Sequence, residues 1–298
     1  MDKNTFNLEI KEILERNFQS EGKIILQKVR KNNGVLLDSL IIQMPDSNIS
    51  PTIYLDVFYE MYKNGMDIEE IAVRILAAYY NGRPKKGLNL EFFKDFEQVK
   101  SRIVYRIVNA KQNQELLEEI PHVLWMDLAI CFYYAFYDEQ LGNGMITIYN
   151  KHMEWWNTST KELMVLAKKN TPELMKARWD SLTKVVESIY GEELEELHGR
   201  ECPLYVLTNE QKNQGAACIL YEGVPDQLAK FLGGSFYMIP SSIHEVILFK
   251  ENGNEDAMAL HRLIKEVNET HLSEEEILSD YPYYYDQDRK KLICINNF

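Results

Sequence analysis

The sequence predicts an α+β protein with largely antiparallel sheets, built from hairpin-helix units whose helices pack on the sheets. Three observations carry this expectation. Strand-like runs recur in pairs around turns rich in Asn and Gly. Amphipathic stretches of helical period follow those pairs. Strict strand-helix-strand alternation, which marks a parallel sheet, is absent.

The elements follow in order. Residues 5–18 read as a helix with Phe6, Ile10, Ile13 and Leu14 on one stripe. Lys23 to Val29 and Val35 to Ile42 read as strands around Lys31-Asn32-Asn33-Gly34, since Asn and Gly tolerate positive φ. A helix is expected from about Pro51, with Tyr54, Val57, Phe58 and Met61 inward and Gly65 at its end. Asp67 caps the next, whose Ile68, Ile71, Ile75 and Tyr79 share a face. Glu91 to Val99 reads as a short helix. Residues 102–107 alternate charged and apolar side chains, as a half-buried strand does. Val123 to Tyr137 is one long apolar run, and Gly144 to Tyr149 a strand after a polar turn. A helix is expected over Thr160 to Lys169. Leu204 to Thr208 and Ala216 to Tyr221 read as strands. Pro225 suits the first turn of a helix that Gly233-Gly234 stops. Phe236 to Ile239 and Val246 to Phe249 are strands. The following helix should turn Leu260, Leu263, Ile264 and Val267 inward, and Tyr283 to Tyr285 with Leu292 to Ile295 close as a hairpin. Pro172 and the acidic stretch Glu192 to Glu201 mark a boundary, which gives an N-terminal region over 1–190 and a C-terminal region over 202–298.

Composition restricts function. The 298 residues are 45% hydrophobic and 27% charged, with a formal charge of -13. That charge repels polyanions and argues against nucleic acid and anionic membranes as partners. The basic clusters Lys28, Arg30, Lys31 and Arg83, Lys85, Lys86 read as solvated strand ends and a turn. The start of the chain lacks an apolar signal segment, and no run approaches a membrane span. Cys131, Cys202, Cys218 and Cys294 are widely spaced, so free thiols in a reducing cytoplasm are expected, with Cys131 and Cys218 buried in strands.

Several segments together resemble a known family. They are residues 53–60, Val104-Tyr105-Arg106 with Asn109, Asp127-Leu128-Ala129, residues 163–172, 204–209 and 215–221, and above all Phe236 through Glu245. The chain resembles domain of unknown function 5688, an uncharacterised bacterial family of gut Firmicutes type. The resemblance implies a bacterial, intracellular, single-chain protein. It implies no catalytic residue.

Reactive side chains crowd most closely in Pro240-Ser241-Ser242-Ile243-His244-Glu245. Ser241, Ser242, His244 and Glu245, with Asn209, are the binding candidates. A hydrolase would use Ser242 as nucleophile and His244 as base. An extended corner, however, points Glu245 away from the face shared by Ser242 and His244. No Gly-x-Ser-x-Gly elbow supports that chemistry. The other reading is a joint: Pro240 ends one strand, a serine hydroxyl takes a nearby amide, and His244 ties two segments. His244-Glu245 opens like a zincin helix, but Leu248 stands where the second histidine is required, so no metal is expected. Gly142-Asn143-Gly144 and Gly233-Gly234 form no phosphate cradle, and no cofactor is expected. Trp155-Trp156 and Tyr281 to Tyr283 read as core packing or sheet cover, or else as an aromatic ledge for a partner. The function expected is a cytoplasmic binding or regulatory protein without catalysis, for an unknown protein or small-molecule ligand.

Overall fold

A computed structural model describes residues 1–17, 22–45, 47–84, 87, 90–139, 142–190 and 204–296. The fold is α+β, and every strand pair with a described register is antiparallel. The chain forms two compact units. One is Met1–Lys31, Val35–Phe92 and Tyr137–Asn143; the other is Asn32–Gly34, Phe93–Phe136 and Gly144–Phe298.

In the first unit, α1 (Lys3–Asn17) buries its predicted stripe of Phe6, Ile10, Ile13 and Leu14. It packs on a three-stranded sheet, β1 (Lys23–Arg30), β2 (Leu36–Gln43) and β3 (Thr52–Tyr54). Ile24 faces Ile42 and Leu26 faces Leu40, so one sheet face feeds the core. The helix expected from Pro51 starts later, as α2 (Asp56–Lys63). Thr52-Ile53-Tyr54 instead pairs with Ser39 to Ile41, where β-branched and aromatic residues fit a sheet edge. Val57, expected inward, is exposed; Phe58, Tyr59 and Met61 pack on the core instead. In α3 (Ile68–Gly82), Asp67 Oδ1 accepts from the Glu69 and Glu70 amides, and Ile71, Ile75 and Tyr79 are buried.

The second unit holds two sheets. The smaller comprises β4 (Ile103–Asn109), β5 (His122–Trp125), β6 (Leu128–Asp138) and β7 (Gly142–Thr147). The long apolar run is therefore two strands, broken where Met126 turns at φ 57. β4 is buried on both faces rather than one, because α7 (Thr160–Leu174) packs on it and a second apolar cluster covers Val104 and Val108. α4 (Phe96–Val99), α5 (Gln114–Glu119) and α6 (Asn150–Trp156) are short.

The larger sheet runs β13-β12-β10-β11-β9-β8. Its strands are β8 (Ala177–Ser181), β9 (Leu204–Asn209), β10 (Phe236–Ile239), β11 (Val246–Lys250), β12 (Tyr283–Asp286) and β13 (Lys291–Cys294). β8 was not expected. It pairs with β9, Trp179 facing Leu207, so the 190/202 boundary does not separate two units. The acidic stretch itself and Cys202 lie outside the described residues, as do Lys85 and Lys86. α8 (Leu182–Tyr190) follows β8 and packs on β8 and β9. The expected strand at 216–221 is a 3-10 segment, Gly215–Leu220, wedged against β9, β4 and α9 (Val224–Leu232). Cys218 is buried there, not in a strand, whereas Cys131 is buried in β6. Leu263 and Val267 of α10 (Ala257–His271) are exposed, and Ile264 with Asn268 forms its buried side.

A joint and a charged cavity at the end of the larger sheet

The corner between β10 and β11 is held by main-chain bonds. Ser241 N–H donates to Ile239 C=O at 2.9 Å, and Ser242 N–H to Glu245 C=O at 3.1 Å. Ser242 Oγ accepts from His244 N–H at 3.0 Å, a two-residue serine turn. Ile243 N–H donates to Glu276 C=O at 2.9 Å, and Ile243 C=O accepts from Ala216 N–H at 3.3 Å. His244 C=O accepts from Thr208 Oγ1–H at 2.8 Å, and His244 Nδ1 accepts from Gln214 N–H at 3.2 Å. The acceptor role at Nδ1 puts the ring proton on Nε2, which lies 3.9 Å from Glu276 Oε1.

Asn209 shapes the loop that meets this corner. Its buried carboxamide accepts from Gln211 and Asn213 N–H at 3.0 and 3.2 Å and donates to Asn213 C=O at 2.7 Å. Lys212 and Gln214 both turn left-handed, at φ 51 and 56. Gly215 then lies so close to β9 and the corner that an added Cβ would sit 2.6 Å from both Asn209 N and His244 O, and against Thr208 Oγ1.

Three of the five residues singled out from the sequence, Ser242, His244 and Asn209, thus meet in one joint. Ser242 is buried, and its hydroxyl takes an amide rather than the imidazole. Glu245 points elsewhere. It lines a cavity of about 60 Å3 with Arg178 and Asp180 of β8, Lys184 and Ser188 of α8, and Lys212. Val185, Val206 and Thr208 complete the walls. Arg178 pairs with Asp180 at 2.8 Å. Lys184, Lys212 and Glu245 have no ion pair among the described residues. Ser241 is half-buried and, among the described residues, makes only its amide bond to Ile239.

Sequence reasoning missed Arg178, Lys184 and Lys212. The alternation Ala177-Arg178-Trp179-Asp180-Ser181 was the available signal for a strand with Arg178 and Asp180 on one face. Of the aromatic pair, Trp156 is buried with its Nε1–H on Phe93 C=O at 2.8 Å, whereas Trp155 is 54% exposed. His261 Nδ1 lies 2.8 Å from Asp280 C=O, and its ring stacks on Tyr281.

The model of a family of unknown function, DUF5688, matches residues 3–287. No curated protein and no solved structure matches the chain.

Proposed function

This chain belongs to DUF5688, a family of unknown function, and we propose that it is a binding protein without catalysis that takes a small oxyanion between α8 and the β8–β9 edge. One observation carries the reading. Arg178, Lys184 and Lys212 converge on one small cavity in a chain of formal charge -13. A local cationic pocket on an anionic protein concentrates field where it is enclosed by apolar walls, here Val185 and Val206. At roughly 10–15 Å3 for each water-sized occupant, the space suits a phosphate or a compact carboxylate. Asp180 neutralises Arg178, so the lysines supply the free charge, and Glu245 selects against a second anionic group.

The non-catalytic half of the reading is supported by the joint. A serine nucleophile needs its proton taken by the imidazole, but Ser242 Oγ and His244 Nδ1 both accept from amides. The setting we propose is a bacterial cytoplasm without nucleic-acid or membrane partners. The unpaired thiols of Cys131, Cys218 and Cys294 suit a reducing compartment. Among the described residues no helix is long and apolar enough to cross a membrane.

Isothermal titration with inorganic phosphate and with malonate tests the oxyanion. At least one should bind, more weakly as salt rises, and the Lys184→Ala/Lys212→Ala double variant should lose about tenfold in affinity or more. Silence from both anions, or binding indifferent to the double variant, refutes the proposal. Turnover of an ester or amide probe that Ser242→Ala abolishes would replace it with a hydrolase.

A further inference from the structure

The floor of the charged cavity is a row that crosses three strands. Arg178 of β8 pairs with Thr208 of β9, and Asp180 with Val206. Residues paired across strands point to the same face of a sheet. On the other side of β9, Val246 pairs with Leu207, so Glu245 is the next residue along and stands opposite Thr208. Arg178, Thr208 and Glu245 therefore lie in line, with roughly 10 Å between the outer two main chains at about 4.8 Å per strand. Lys184, Val185 and Ser188 of α8, which packs on β8 and β9, form the wall over the Arg178 end. Lys212 lines the space from the loop after β9.

Charge is divided along that row. Asp180 takes Arg178 at 2.8 Å. Lys184, Lys212 and Glu245 line the same space, yet among the described residues neither lysine pairs with the carboxylate. Glu245 is half-buried, so salt screens it less than it would a surface carboxylate. The joint uses its carbonyl, on Ser242 N–H, and leaves the side chain free. The hydroxyls of Thr208 and Ser188 already donate to the His244 and Val185 carbonyls. A bare oxyanion on the lysines would thus set a second negative charge against Glu245. An ammonium on the ligand gives that carboxylate its counter-charge instead. We infer, on the oxyanion reading above, that the cavity takes a compact zwitterion, an oxyanion with a primary ammonium on the adjacent carbon, the chemistry shared by α-amino acids and aminoalkylphosphonates. The oxyanion goes to Lys184 and Lys212, and the ammonium to Glu245. Size sets the limit: about 60 Å3 holds about four to six water-sized occupants, which admits glycine or aminomethylphosphonate and little more.

Calorimetry on the full chain tests this with two matched pairs, glycine against acetate and aminomethylphosphonate against methylphosphonate. Within each pair the oxyanion is the same and the ammonium is the difference. At least one amino compound should bind about tenfold tighter than its counterpart. Glu245→Gln keeps the shape of the side chain and the main-chain bonds of the corner. It should erase that preference while methylphosphonate binds as well as before or better, since a repulsion is removed. Acetate or methylphosphonate binding as tightly as its amino counterpart overturns the zwitterion and leaves the oxyanion reading in place. So does a preference that survives Glu245→Gln. Silence from all four compounds also overturns it, and silence from phosphate and malonate as well takes the oxyanion reading with it.

Discussion

Replacing Gly215 with alanine isolates what the joint contributes. The positions that force glycine through a positive φ include Gly34 and Gly65, but Gly215 is not among them, so the constraint is space alone. The new methyl carbon would stand 2.6 Å from Asn209 N and His244 O, well inside the 3.4 Å at which ordinary contact begins. Both atoms are main chain, one in β9 and one at the entry to β11, and neither can swing aside. The third neighbour, Thr208 Oγ1, can rotate only by giving up its bond to His244 C=O. Overpacking of this kind costs about 1–3 kcal/mol, and a lost hydroxyl bond adds about 1 kcal/mol. A total near 2–4 kcal/mol should lower the urea midpoint with the slope unchanged. Adding Thr208→Ala to Gly215→Ala should relieve only the contact with Oγ1; the main-chain clash stays and the bond to His244 C=O is lost either way, so the double variant should remain well below the parent. A Gly215→Ala protein within about 0.5 kcal/mol of the parent, the range of an ordinary surface change, would show that β9 and the corner are not tightly apposed.

His244→Ala should cost about 1–3 kcal/mol, because Gln214 N–H loses its acceptor; thermal melting equal to the parent would contradict this. Burial, and then the Lys151 charge, hold the His152 imidazole below its ordinary 6.5, and its Nδ1 accepts from Tyr149 N–H. The unfolded chain therefore takes this proton at higher pH than the folded one, so its contribution is full above 6.5 and is lost as pH falls toward the folded value. His152→Asn should flatten that limb of a melting-temperature profile, and a profile parallel to the parent's would refute the assignment. Burial pushes the thiols of Cys131, Cys218 and Cys294 up to about 12. In a Cys202→Ser/Cys294→Ser background, which removes the half-exposed Cys294, an aromatic disulfide reagent at mild alkaline pH should therefore label Cys131 and Cys218 only after denaturation, and rapid labelling of the native protein would refute their burial.

Local signals made much of the fold legible. The stripe Phe6, Ile10, Ile13, Leu14 gives α1, and Asn33 with Gly34 adopts the positive φ that a tight turn requires. What failed was long-range. An apolar run such as 216–221 reads equally as strand or as buried coil, and only the approach of Gly215 to β9 decides. The break at Met126 carries neither Gly nor Pro, so nothing in the residue types announces it. β8 is five residues with a single large apolar side chain, and its pairing with β9 stabilises it more than its own pattern does. The same holds for the site. Ser242 and His244 stand out because they are close in sequence, but what engages His244, Gln214 and Thr208, lies some thirty residues away. The basic wall of the cavity comes from a strand and helix that the pattern did not reveal.

The β8–β9 pairing also bears on how the polypeptide can be divided. β8 precedes residues 191–203 and β9 follows them, yet five residue pairs from Ala177–Asn209 to Ser181–Tyr205 zip the two together. Scission within that interval would separate the covalent chain but not the sheet. Fragment 1–190 would carry an orphaned edge strand, and fragment 202–298 would lack its outermost one. Neither piece is a module to be moved into another protein; mixed, they are a complementing pair whose reassembly the ladder itself would report.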